Sequence, residues 1–267
     1  GSEMCIRDRR KPTDTLSSYE LLLKGKALHH KVQKDALLNA LTTFDDAIKA
    51  DEKNGQAYAW KACALGQGLF RGYLEEDFNT VWKQAEDNLK KARELNENDF
   101  EVHRLMSEVS LAMKDFRAAQ RHSKICYEQV PNDPRVLSVY GEVCLRTGKV
   151  DEGLDAVKLA LEIDPVAQGK TNADPRHAAV IFGYYMARDK EGCLEQINNL
   201  EEIDFKSWLL TTKICRDEEH EFSNLDWFQE GKKLFSDKDF EKEVQDFRLN
   251  NDSATETLIS FAKELFS

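Results

Sequence analysis

Helix breakers are scarce in this chain. Its 267 residues hold 5 prolines and 13 glycines, so long stretches run uninterrupted and favour helix. No apolar run approaches the ~20 residues of a membrane span, so no span is expected. Positive charge is short as well. Lys and Arg number 38 against 49 Asp and Glu, a net charge of −11. That excludes general nucleic-acid binding, which needs a basic footprint, and it argues against docking on anionic lipid. The balance suits either solubility or an acidic groove for a basic partner. Cysteine pairs are missing: Cys5, Cys63, Cys126, Cys144, Cys193 and Cys215 form no C-x-x-C motif. They read as reduced thiols spread through the helices of a cytoplasmic protein.

The marks of chemistry are missing too. Gly66-Gln-Gly68 lacks the spacing and the preceding strand of a phosphate loop. No serine sits in a G-x-S-x-G setting. The six histidines are scattered, and adjacent His29 and His30 point about 100° apart on a helix, so they do not converge on one metal. Asp217-Glu-Glu-His-Glu221 reads as a solvated charge run. Carboxylate pairs abound, and nothing selects one as acid and base. No catalytic, cofactor-binding or metal-binding residue is singled out, so neither an enzyme nor a cofactor is expected.

What is present is a period. Pro131 and Pro165 each close a segment with small, aromatic and apolar residues at matching offsets. The segment Asn98–Pro131 carries Lys114-Asp115-Phe116, Ala119 and Cys126; Asn132–Pro165 carries Tyr140-Gly141, Gly148-Lys149-Val150, Gly153 and Ala160. This resembles the tetratricopeptide (TPR) repeat, a helix–turn–helix unit of about 34 residues. The resemblance implies an all-α TPR solenoid, a right-handed superhelix of antiparallel helix pairs with degenerate C-terminal capping helices. A hydrophobic content of 41% and a charged content of 33%, against typical values of about 45–50% and 25%, fit such a thin, high-surface array. Units of this kind stack to make a binding surface rather than an active site.

About five units are expected over 18–203, at 18–53, 54–97, 98–131, 132–165 and 174–203. In the first, Ala40, Phe44 and Ala47 share one helical face, and Ala85, Leu89 and Ala92 repeat that face in the second. The second unit is about 11 residues over-long. Gly66, Gly68 and Gly72 in the excess suggest a broken helix, read either as a partner-contact loop over 66–73 or as a longer helix pair with an ordered elbow. Residues 204–267 read as a degenerate helix pair followed by capping helices. The apolar helix Ala254–Phe266 would serve as a cap or as a dimer face, which leaves the oligomeric state open.

Residues 1–10, beginning Gly1-Ser-Glu-Met-Cys-Ile-Arg-Asp-Arg9, have no periodicity. They resemble a translated sequencing-adapter read and are expected to be foreign to the fold, with the true N-terminus upstream. Residues 11–17 read as a linker, with Ser17 or Ser18 capping the first helix beside Glu20. Lys11-Pro-Thr-Asp-Thr-Leu-Ser-Ser-Tyr-Glu20, followed by Leu23-Lys-Gly-Lys26, is similar to the junction that opens the C-terminal TPR region of bacterial class III adenylate/guanylate cyclases. TolB-like and winged-helix regulators share that junction. Ser18 stands where the junction usually has Ala, and Lys24 where Arg is common. The resemblance covers roughly Arg10 to Asn199. It implies the C-terminal regulatory part of a larger bacterial signalling protein, the alternatives being a fragment of a nucleotide cyclase or the sensory arm of a winged-helix regulator. None of the cyclase's metal-binding aspartates and no DNA-reading helix lies in this sequence.

Counted from the repeat offsets, Arg104, Glu108, Arg135, Ser138, Glu142 and Arg146 fall on the inner face and make the candidate peptide-binding groove. Some TPR domains hold a partner's terminal carboxylate with Lys and Asn at such positions. Here Glu108 and Glu142 fill the Asn slots and would repel it. The mixture points either to a protein or peptide partner of both charge signs, including the missing N-terminal domain in cis, or to a face salt-bridged within itself at ~0–1 kcal/mol per pair.

Overall fold

The computed structural model describes residues 17–267; the readings of residues 1–10 and of linker positions 11–16 lie outside the described residues. Fourteen helices and no strand are present among the described residues. They form two compact units that divide between Val102 and His103.

The first unit holds α1 (Ser18–His29), α2 (Lys34–Ala50), α3 (Gly55–Phe70) and α4 (Phe78–Leu95). Ser17 starts α1 with a capping box. Its hydroxyl accepts from the Glu20 N–H at 3.3 Å, and the Glu20 carboxylate accepts from the Ser17 N–H at 2.6 Å. Helices pack in chain order, and α1 also touches α3. The first (A) helices of successive pairs therefore adjoin one another, and the second (B) helix of the first pair adjoins the next A helix. Ala40, Phe44 and Ala47 are fully buried, and Ala85, Leu89 and Ala92 are buried in turn, as their shared helical face requires.

The over-long stretch is ordered as helix. α3 continues through Gly66 and Gly68 to Phe70, so the glycines do not break it. A Cβ on Gly68 would lie 2.7 Å from Leu37 and 2.9 Å from Leu74; the glycine is there for close approach. The turn comes later, at Gly72 (φ 65°), where the Tyr73 N–H donates to the Gly68 carbonyl at 2.8 Å.

The division between units falls within α5 (Phe100–Ala112). The second unit continues with α6 (Phe116–Gln129), α7 (Pro134–Arg146), α8 (Val150–Ile163), α9 (Asp174–Ala187), α10 (Lys190–Ile197) and α11 (Phe205–Asp217). α12 (Asp226–Leu234), α13 (Phe240–Gln245) and α14 (Asp252–Leu265) close it. The A helices α7, α9 and α11 touch in sequence. Four helix ends repeat the turn seen at Gly72, a left-handed residue followed by an N–H reaching back to a carbonyl of the last turn. Asp115 bonds Ser110, Lys149 bonds Cys144, Asp189 bonds Tyr184 and His220 bonds Cys215, each at 2.9 Å. Gly148 supplies positive φ at one of them; Lys114, Arg188 and Glu219 supply it at the others, at a cost on the order of 1–2 kcal/mol each. Aspartates at positions 77, 115, 133, 189, 204 and 239 accept from first-turn amides, so part of the acidic excess works as N-caps.

The C-terminal helices enclose the largest cluster of the second unit around Trp208, with Phe205, Phe228, Phe235, Phe247 and Phe261. Leu258, Phe261 and Ala262 of α14 are buried in it. The apolar face of this helix therefore serves as a cap.

Candidate functional site

The six groove residues sit on α5 and α7, and the structure pairs most of them locally. Arg104 is buried and ion-pairs with Glu108 at 2.5 Å. Arg146 is buried and ion-pairs with Glu142 at 2.8 Å. Both are i,i+4 pairs, which face each other on a helix. Arg135 turns to the helix cap and pairs with Asp133 at 2.6 Å. Ser138 donates to the Pro134 carbonyl at 3.0 Å and accepts from Arg176 of α9. Arg176 also pairs with Asp164 at 3.1 Å. Glu142 and Arg146 belong to a larger cluster.

That cluster spans three consecutive A helices. The Arg146 guanidinium of α7 lies 4.7 Å from the ring centre of Phe182 on α9. Lys206 of α11 lies 4.0 Å from the same ring and 6.0 Å from that of Phe247. Arg146 Nη2 donates to the Phe247 main-chain carbonyl at 3.2 Å, across 101 residues of chain. The segment after α13 thus lies on this face: Phe247 and Leu249 are buried, and Arg248 between them adopts φ 53°. Lys114 adds a contact at 3.5 Å to Gln245, the last residue of α13. Phe182, Lys206 and Phe247 were not foreseen from the sequence. No local spacing links them, since the carbonyl that Arg146 holds is main chain.

Charge is crowded there. Burial raises the Glu142 carboxyl, but Arg146, then Lys206 and Arg248, outweigh it and hold it below the usual carboxylate range. Burial and Arg146 push the Lys206 ammonium down to about 8, against the pull of Glu142 and Asp204. Folded Lys206 therefore binds its proton less tightly than unfolded Lys206. The resulting penalty is fully present below pH about 8 and is relieved as pH rises toward the unfolded value near 10.5. Lys206→Met removes it. The stability of the variant relative to the parent is expected to be most favourable near pH 7 and to shrink by about pH 10. Urea denaturation of both proteins at the two pH values checks this; a difference that does not change with pH would refute it. Thiols that titrate in the same range are common to both proteins and cancel.

Elsewhere the reactive side chains are subdued. Burial pushes the Cys126 thiol up to about 12 and those of Cys144 and Cys215 to about 11, and it raises Cys193 as well. The run from Asp217 is tied to neighbouring cations: Lys213 and Arg188 reach Asp217, and Lys190 reaches Glu218 at 3.5 Å. No group of three metal-ligating side chains occurs among the described residues, and no described helix is long and apolar enough to cross a membrane.

No protein-family model matches the chain, and no curated protein matches it. Solved structures do. The chain is similar to Pseudomonas aeruginosa PilF at 14% identity and a TM-score of 0.60, over 86% of this chain and 96% of that one. It is similar to a tetratricopeptide repeat protein from Parabacteroides merdae at 15% identity and a TM-score of 0.51, over 95% and 87%. A TPR protein of Thermus thermophilus gives 18% and 0.51, over 76% and 100%. The fold is an all-α TPR fold. In TPR terms, the Arg146–Phe182–Lys206 cluster lies on the A helices, where the period had placed the groove.

Proposed function

We propose that the chain is a non-catalytic interaction module whose A-helix face, in the second unit, receives an extended segment of a protein partner. One observation carries this reading. Arg146, Phe182 and Lys206, from three A helices, already hold a stretch of chain by its main-chain carbonyl and its aromatic side chain. Recognition of a carbonyl demands no particular residue, while the buried Phe247 and Leu249 favour an aromatic residue followed two positions later by an aliphatic one. The self-paired Arg104, Glu108 and Arg135 would frame this seat rather than grip the partner.

Being tethered, the chain's own segment competes at an effective concentration in the mM range, so a partner of the same pattern has to displace it. We place the module in the C-terminal regulatory part of a larger bacterial signalling protein, where the partner would be a neighbouring domain in cis. The junction residues Lys11–Lys26 support that setting. A cyclase fragment and the sensory arm of a winged-helix regulator are two forms of it, and in both this region would bind rather than catalyse. The test supplies Val244–Asn251 as a free labelled peptide. It is expected to bind Phe247→Ala, in which the cis copy is loosened, at least about tenfold more tightly than the parent.

A further inference from the structure

Positive charge is gathered at one other place. Arg117, Arg121 and Lys124 of α6, with Lys149 from the turn after α7, line a cavity of about 340 Å³ walled by Tyr140 and Cys144. No carboxylate lines it, in a chain whose net charge is −11. Tyr140 and Cys144 lie about 120–160° round α7 from Glu142 and Arg146, so the cavity is distinct from the A-helix face and stands independently of the reading above.

Counter-charges satisfy only half of the four cations. Lys124 meets Glu128 at 3.6 Å, and Lys149 meets Glu152 at 3.3 Å. Glu152 is also held by the Tyr140 hydroxyl. Arg117 and Arg121 make no ion pair among the described residues; Arg121 donates instead to the His122 ring at 3.3 Å. Both arginines are exposed. Two guanidiniums, built for bidentate carboxylate contacts, thus stand in water at the rim of a cavity.

We propose that this α6–α7 cavity is a second docking site, one for an acidic segment of a protein partner. Spacing favours a segment over a single phosphate. Arg117, Arg121 and Lys124 follow one another at four and three residues along one face of α6, and seven residues of helix cover about 10 Å. An extended chain covers that length with about four residues, and its alternate side chains, about 6.6 Å apart, share one face, so carboxylates at i and i+2 reach neighbouring cations. A nucleic acid would meet the same four cations but also the acidic remainder of the protein, which repels a long polyanion.

The experiment titrates a fluorescein-labelled octaglutamate peptide into the full chain at low ionic strength and follows its anisotropy. Binding is expected, weakening as salt rises. Arg117→Glu with Arg121→Glu is expected to weaken it roughly tenfold or more. Lys90→Glu with Lys91→Glu makes the same change in net charge on an exposed face of α4 and should leave binding within about twofold. Circular dichroism checks that the variants fold; Lys124→Gln with Lys149→Gln replaces the arginine pair should that one unfold. No binding by the parent, or equal weakening by both reversals, overturns the proposal. So does inorganic pyrophosphate that binds as tightly as the peptide and competes with it, since the site would then serve small anions.

Discussion

Trp208→Ala is expected to destabilise the protein by about 3–5 kcal/mol, the range for removing a large aromatic side chain from a packed interior. Trp208 is fully buried. Its ring centre lies 5.7 Å from those of Phe228 and Phe235 and 5.5 Å from that of Phe266, so one side chain joins α11 to α12 and to the C-terminal end. Its indole N–H donates to the Phe228 carbonyl at 3.2 Å. Truncation leaves a cavity and removes that hydrogen bond. Gly231 is adapted to the same ring: a Cβ there would lie 2.1 Å from the indole. Urea denaturation followed by far-UV circular dichroism measures the loss. A change below about 1 kcal/mol would show that these helices do not depend on the tryptophan.

Gly141→Val is the second large effect, expected at about 3 kcal/mol, the upper end for overpacking. Gly141 of α7 and Gly153 of α8 let two helix backbones touch. A Cβ on Gly141 would lie 2.9 Å from the Gly153 carbonyl oxygen and 2.7 Å from Val157; one on Gly153 would lie 2.8 Å from the Leu145 nitrogen. A main-chain atom cannot swing aside as a side-chain end can, so the helices must separate. Gly66→Ala is the matched control. Gly66 is also helical but has nothing within 4 Å of an added Cβ, so alanine there is expected to stabilise by about 0.5–1 kcal/mol. Opposite signs in thermal unfolding support this account of the two glycines; equal signs contradict it.

These cases show which parts of the fold were legible in the residues. Ala40-Phe44-Ala47 and Ala85-Leu89-Ala92 were, because burial of a single helical face imposes a local spacing. Gly148 sits at a left-handed turn, which favours glycine. Lys114 and Arg188 carry the same turn with nothing in their side chains to announce it. The bond to the preceding helix holds them there. At α3 the structure follows the longer helix pair with an ordered elbow rather than the partner-contact loop: Gly66 and Gly68 weaken a helix locally, yet packing of Gly68 against Leu37 and Leu74 overrides the weak preference.

The candidate site divides in the same way. The pairs Arg104–Glu108 and Glu142–Arg146 follow from i,i+4 spacing alone. The contact from Arg146 to the Phe247 carbonyl closes 101 residues of chain, and no period reports it. The C-terminal residues from Asp204 had lost the repeat pattern, so their path over the earlier A helices had no signal to follow. The α6 row Arg117, Arg121 and Lys124 was not singled out in the sequence, because its significance depends on Tyr140 and Lys149 being brought beside it.

The titration of the free Val244–Asn251 peptide bears most directly on the proposal that the A-helix face is a seat for extended chain. Parent, Phe247→Ala and Phe247→Ala with Arg146→Ala are compared by anisotropy, each first shown to be helical; Leu249→Ala, a smaller truncation, substitutes for Phe247→Ala if that variant unfolds. Tight binding by the loosened variant, weak binding by the parent and loss of roughly tenfold or more on removing Arg146 are the expected results. A folded, loosened variant that fails to bind the peptide, or binds it equally with and without Arg146, would make Phe247 and Leu249 ordinary core and contradict the proposed function.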